Sequence, residues 1–305
     1  MSSTSLPEIY VNTWNFRGYP LERAVRKAKA FGYDGIEIWS GHYQFETVET
    51  TLADAQRLGR EVGIAIPVLN LSGNVIDADS TARAVHVRRI AEIIDRCPEF
   101  GIRIVNGYAG SIVVDRNDWG KNGSAAASAE HYDRATEAYQ TLGAAAQRAG
   151  LLLTLEVHMN TIHDTAASAA RLLDRIGSPA VRANFDAGNM YGTSRAEKAT
   201  EAIAILGSRI AYTHYKNARR DPGRPAGIDY HYDLPGGDLD YYAITRTLHQ
   251  SGFRGPYGIE YSGAGDRAVV TRNDLRYLRE VLTEVAAEAP EQPTSERRTA
   301  QQEPL

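Results

Sequence analysis

Eight times between residues 9 and 288, a short apolar run is followed by a stretch whose apolar residues recur every three or four positions. The first kind reads as a buried strand, and the second as a helix with one face turned toward a core. IYVNTW (9–14) precedes Leu21, Ala24, Val25, Ala28 and Phe31 at helical spacing. GIEIW (35–39), IAIPVLN (64–70), IRIVNGY (102–108), LLLTLEV (151–157), VRANFDA (181–187), IAYTHYK (210–216) and PYGIEYS (256–262) open the other units. The pattern predicts their helices near 51–62, 81–97, 129–149, 165–176, 195–207 and 240–251, then through Leu275, Leu278, Val281, Leu282 and Val285. Eight such units suit an α/β fold closed on itself as a single (β/α)8 TIM barrel. An open doubly wound sheet usually carries a glycine fingerprint on its first turn, and NTWNFRGYP has none.

Composition narrows the function. The 305 residues carry a net charge of −4, with no basic excess to neutralise phosphates, so no nucleic-acid partner is expected. The one cysteine, Cys97, excludes an internal disulfide and reads as a buried apolar residue. No apolar run approaches the ~20 residues that cross a bilayer, and MSSTSLPEIYVN lacks the charged start and apolar core of a secretory signal. A cytoplasmic protein is expected, with the barrel over 1–288 and a disordered tail over 289–305, where proline, glutamine and charge dominate.

In a barrel, chemistry sits where strands end and the following loops begin. Strand alternation tells which side chains point inward there. In LLLTLEVH, Leu151, Leu153 and Leu155 take the helix side, which turns Glu156 and His158 inward. The same parity turns Asp186, Glu260 and Glu37 inward, each between outward apolar neighbours. His214 shares a side with Ile210 and Tyr212, so parity alone does not place it. A lone inward carboxylate more often pairs with lysine or arginine. Several at one rim repel each other and lose hydration, a conflict that a divalent cation resolves. Glu156, Asp186 and Glu260 with His214 form a set of three oxygens and one nitrogen suited to Mn²⁺, with Mg²⁺ or Co²⁺ as alternatives.

FGYDGIEIW, LEVH, NFDAGN, THYKN and GGDLDYYAITRTLHQSGFRGPYGIEY together resemble the xylose isomerase-like barrels of sugar isomerases, epimerases and AP endonucleases. The likeness covers roughly 9–288 and resembles most the branch of ketose 3-epimerases and inosose dehydratases. It implies that Glu156, Asp186, His214 and Glu260 hold the metal, and that Glu156 and Glu260 move the protons. Which of the two acts as base stays open.

The expected reaction is isomerisation or epimerisation of a keto-sugar or related polyol, by proton abstraction beside a carbonyl through an enediolate stabilised by the ion. A lyase running the same chemistry, dehydrating an inosose or cleaving an oxidised glycoside or C-glycoside, is the alternative. A barrel that binds a polyol or a protein without turnover is a second alternative. Substrate contacts are expected from His158, Asn189, Lys216, Arg220, Glu37 and Trp14, and a homo-oligomer is possible.

Departures limit the likeness. Asn189 stands where ketose 3-epimerases carry histidine, and Ile162 where they carry glutamate, which argues against a free ketohexose. Asp229 and His231 match an endonuclease pair, yet Asn189 and Tyr108 replace residues that branch needs. DNA cleavage is not expected.

Overall fold

The computed structural model describes residues 6–71 and 73–288; the tail expected over 289–305 lies outside them. In chain order the strands are β1 (Ile9–Asn12), β2 (Gly35–Ile38), β3 (Ala65–Asn70), β4 (Ile104–Gly107), β5 (Leu152–Glu156) and β6 (Val181–Asp186). They continue as β7 (Ile210–Tyr215), β8 (Asn217–Arg220), β9 (Ile228–Tyr232) and β10 (Tyr257–Ile259). The helices are α1 (Leu21–Phe31), α2 (Val48–Val62), α3 (Ser80–Arg96), α4 (Ala129–Ala149), α5 (Ala166–Ile176), α6 (Ala187–Tyr191), α7 (Ala199–Leu206), α8 (Tyr241–Gln250) and α9 (Arg267–Glu288).

Strands β1 to β7 and β10 close a parallel barrel in the order β1-β10-β7-β6-β5-β4-β3-β2. This is the single (β/α)8 barrel that the repeat predicts. Each outer helix earns its place by one apolar face: α1 buries Ala24, Val25 and Ala28 and ends at Gly32 in the left-handed conformation. Cys97 is fully buried, and burial pushes its thiol up to about 12. None of the described helices is long and apolar enough to cross a membrane.

Two layers fill the barrel. The lower is apolar and aromatic: Tyr10, Val68, Ile104 and Tyr212 pack together with Leu152 against them. The upper layer, two residues further along each strand, is polar, with Asn12, Asn70, Asn106, Thr154 and His214 all buried. The period-2 alternation therefore places a polar tier on an apolar plug, at the end from which the βα loops leave.

Two segments depart from the expected pattern. The stretch after β7 holds a two-stranded antiparallel ribbon, β8 with β9, where a long loop was expected. The helix expected near 195–207 is confined to α7, and α6 starts directly on Asp186. Five residues are too few to show a helical period, so α6 left no trace in the apolar pattern.

Candidate metal centre and pocket

Asp186, Glu156, His214 and Glu260 offer ligand atoms that all lie within 4.8 Å of one another, and all four residues are buried. Their order around the barrel follows from neighbouring strands: Glu156 ends β5, Asp186 ends β6, His214 is on β7, and Glu260 follows β10.

His214 reaches the interior through a register shift. Ala183 pairs with Ile210 but the next residue, Asn184, pairs with Tyr212, so β7 carries one extra residue there. Ile210 consequently packs in the outer core while Tyr212 enters the interior cluster. The bulge breaks the alternation and is the physical reason parity could not place His214. Across the sheet, Gly258 makes room: a Cβ there would lie 2.3 Å from the Tyr212 hydroxyl and 2.9 Å from the His214 ring.

The histidine is oriented from below. Its Nε2 lies 2.7 Å from Glu37 Oε2, and Glu37 also accepts from the Tyr212 hydroxyl at 2.9 Å. With the Nε2–H donated to Glu37, the Nδ1 lone pair faces the acids, 3.5 Å from Glu156, 3.5 Å from Glu260 and 4.0 Å from Asp186. This buried Nδ1 has no hydrogen-bond partner among the described residues. An acceptor left bare among three carboxylates is what a cation site looks like before the cation is counted. The four side chains therefore fit a divalent metal ion.

Charge makes the same case. Burial disfavours the imidazolium, but Glu37, Glu156 and Glu260 outweigh it and push His214 well above its ordinary value. Burial, with repulsion from Glu156 and Glu260, raises Asp186 to about 7 even though Lys216 opposes this. Burial would also raise Glu156, yet the charges of His214, His158 and Lys216 hold it well below the usual range. Each desolvated carboxylate costs several kcal/mol, and among the described residues Lys216 is the one buried ammonium beside them: Nζ lies 2.7 Å from Glu260 and 3.2 Å from Asp186.

Asparagines hold the carboxylates in place, and the sequence reading missed most of them. Asn106 donates to Glu37 at 3.1 Å and Glu156 at 3.0 Å. Its carbonyl oxygen accepts from Thr154 and Asn184. Asn12 donates to Glu260 Oε1 at 2.7 Å. Asn189 Nδ2 lies 2.8 Å from both Glu156 Oε1 and Asp186 Oδ2. Asp186 has a second duty: its Oδ1 accepts the Asn189 backbone N–H at 2.8 Å and caps α6. A signal existed, since IYVN, IPVLN and IVN each finish a strand with an inward asparagine.

Above this floor lies a pocket of about 250 Å³. Glu156, Glu260, Asn189 and Lys216 form its base, with Trp14, Trp39, Tyr108, Met159 and Tyr230 around it. Trp14 and Trp39 meet edge to face at 4.8 Å. His158 lines the pocket, donates from Nδ1 to the Met159 carbonyl at 2.9 Å and thereby turns an Nε2 lone pair to other partners. Burial and Lys216 keep it below the ordinary histidine value despite Glu156.

Two expected substrate contacts lie elsewhere. Glu37 is fully buried beneath His214 and does not line the pocket. Arg220 does not line the pocket either: it sits on the exposed ribbon with its guanidinium over the Tyr191 ring at 4.4 Å.

Residues 25–281 match the family described as xylose isomerase-like TIM barrel. An inosose dehydratase of Clostridium perfringens is 25% identical over 137 residues, 41% of this chain and 46% of that protein. The chain thus spans about half the length of the curated relatives it matches. A xylose isomerase-like TIM barrel protein from Mycobacterium smegmatis, solved in complex with magnesium, superposes with a TM-score of 0.71 at 21% identity, covering 93% of this chain and 99% of that one. An L-ribulose 3-epimerase superposes with a TM-score of 0.73 at 18% identity, covering 94% and 100%. With the family matched over most of its length and the closed barrel in place, the chain belongs to the xylose isomerase-like TIM barrel family.

Proposed function

We propose that the chain is a divalent-metal-dependent isomerase or epimerase that moves a proton beside the carbonyl of a keto-sugar or related polyol. One observation carries the reading: of the four clustered ligand residues, only Glu156 and Glu260 also line the pocket. Asp186 and His214 are fully buried beneath it. The two glutamates thus have both a side facing the cluster and a side facing a substrate, as two-base proton transfer requires.

Glu156, Asp186, His214 and Glu260 would hold the ion. Three oxygens with one imidazole suit Mn²⁺, with Mg²⁺ or Co²⁺ as alternatives. When bound, it supplies Lewis-acid polarisation of a carbonyl and stabilises the charge that builds on oxygen during deprotonation.

The chain's own residues do the rest. Glu260 accepts from Asn12 and Lys216, and Glu156 from Asn189 and Asn106, so both carboxylates are aimed before a substrate arrives. One removes the proton on carbon, and the other returns one to the opposite face or the adjacent carbon. His158 can accept a hydrogen bond from a substrate hydroxyl through Nε2, and the aromatic side chains give the pocket an apolar lining above the two glutamates.

A lyase outcome, loss of a β-substituent after the same deprotonation, is favoured by the match to inosose dehydratases. The test is metal analysis of the purified protein, then incubation with inososes and keto-sugars in D₂O. Deuterium entering recovered substrate and product supports epimerisation; a new ultraviolet absorbance marks elimination. Glu156→Gln and Glu260→Gln must each abolish the exchange. If no metal-dependent turnover exists, or both variants retain it, the proton-transfer reading fails, and a barrel that only binds a polyol or a protein takes its place.

A further inference from the structure

The pocket's electrostatics and walls specify the charge and shape of what enters it. The floor gathers four carboxylates, Glu37, Glu156, Asp186 and Glu260, against one lysine. Lys216 is already committed to Glu260 and Asp186. A divalent ion in the cluster still leaves one negative charge in excess. Among the described residues, no arginine lines the pocket.

The rim arginines are occupied as well. Arg17 donates to the carbonyls of Trp14, Tyr261, Ser262 and Gly263. Arg195 donates to Gly120, and Arg220 lies on Tyr191. Barrels often seat a phosphate near the last strands, on a helix N-terminus. Here the first turn of α9 is taken by its own carboxylate, since Asp266 Oδ1 accepts from the Ala268 and Val269 N–H groups. An anion entering this pocket meets like charge without a donor cluster to offset its lost hydration.

The walls point the same way. Trp14 and Trp39 on one side, and Tyr108, Met159 and Tyr230 around the rest, enclose about 250 Å³. Aromatic faces suit a flat ring whose C–H faces are apolar and whose hydroxyls project from its edge. We infer that the pocket selects an uncharged cyclic polyhydroxy compound, a keto-pyranoside or a cyclitol ketone, and rejects phosphorylated and carboxylated counterparts. This rests on the proton-transfer reading for the site and adds to it the charge and shape of the substrate.

Binding of unreactive probes tests the inference without turnover. Calorimetry of the protein, with and without manganese, would compare myo-inositol with inositol 1-phosphate and with quinate, a carboxylated cyclitol. The neutral ring is expected to bind, and each anion to bind more than about tenfold more weakly, in both forms. Trp39→Ala should weaken myo-inositol binding severalfold while the fold, read by circular dichroism, persists. An anion that binds as well as myo-inositol, or failure of myo-inositol to bind, overturns the inference. The outcome is separable from that of the proton-transfer reading. Selective neutral binding without any deuterium exchange would remove the reaction and keep the selectivity. Glutamate-dependent exchange into a phosphate ester would do the reverse.

Discussion

His214 gives its Nε2 proton to Glu37 across 2.7 Å, with both side chains shut off from solvent. The Glu37 charge fixes the ring's tautomer and leaves the Nδ1 lone pair facing the space among Glu156, Asp186 and Glu260. Glu37→Gln preserves the shape but removes the charge. Affinity for Mn²⁺, measured by competition with a chromophoric chelator, should fall about 10- to 100-fold. An unchanged affinity would show that Glu37 does not tune the histidine.

Metal should stabilise the fold. Mn²⁺ at one hundred times its dissociation constant adds about 2.7 kcal/mol, which corresponds to a rise in Tm of roughly 5 °C for a domain of this size. Chelator treatment should reverse it. Asp186→Asn keeps an oxygen to cap α6 while losing the charge, so differential scanning calorimetry should find a folded protein whose Mn²⁺-induced shift is largely gone.

Asp274 gives the pH dependence of stability a handle outside the cluster. Burial pushes its carboxyl up to about 8, with Asp233 adding to the rise and the Leu234 N–H opposing it. A folded value above the unfolded one means that the native state holds the proton more tightly. Its contribution is therefore most favourable below the model-compound value of 3.8, declines as pH rises, and is lost by about pH 8. Asp274→Asn keeps the acceptor for Leu234 and removes the titration. Its Tm should pull ahead of the parent progressively from pH 5 to 8 and then hold a constant lead. A difference that does not vary with pH would contradict this.

Gly258→Ala tests the packing beneath the histidine. The added methyl falls 2.3 Å from the Tyr212 hydroxyl, which must move off Glu37. Overpacking of this kind costs about 1–3 kcal/mol. Urea denaturation should show that loss, together with weaker Mn²⁺ binding; stability equal to the parent would mean that the ring relaxes freely.

The architecture was legible because it repeats: each strand–helix unit carries its own periodicity, and the sheet needs all of them to close. Parity also turned Glu156, Asp186 and Glu260 inward from the chain alone, since each stands between apolar neighbours that must face helices. His214 was not readable that way, because one extra residue between Ile210 and Tyr212 shifts the phase, and no local composition announces a bulge in a buried strand. Arg220 was expected near the substrate because it falls where the ketose epimerases that the chain resembles place an arginine. Here it lies on the exposed β8–β9 ribbon, stacked on Tyr191. Asn12 and Asn106 escaped notice because their importance lies in what they touch across the barrel.

The two oxygens of Asp186 are not interchangeable. Oδ1 already caps α6, so turning the carboxylate to clasp an ion with both arms would disturb that cap. It presents a single oxygen at a fixed angle. Calcium, which gathers six to eight oxygens and often takes a carboxylate two at a time, is poorly served by such a grip, whereas a smaller octahedral ion loses nothing. A five-residue helix at the rim would thereby bear on which ion the cluster prefers.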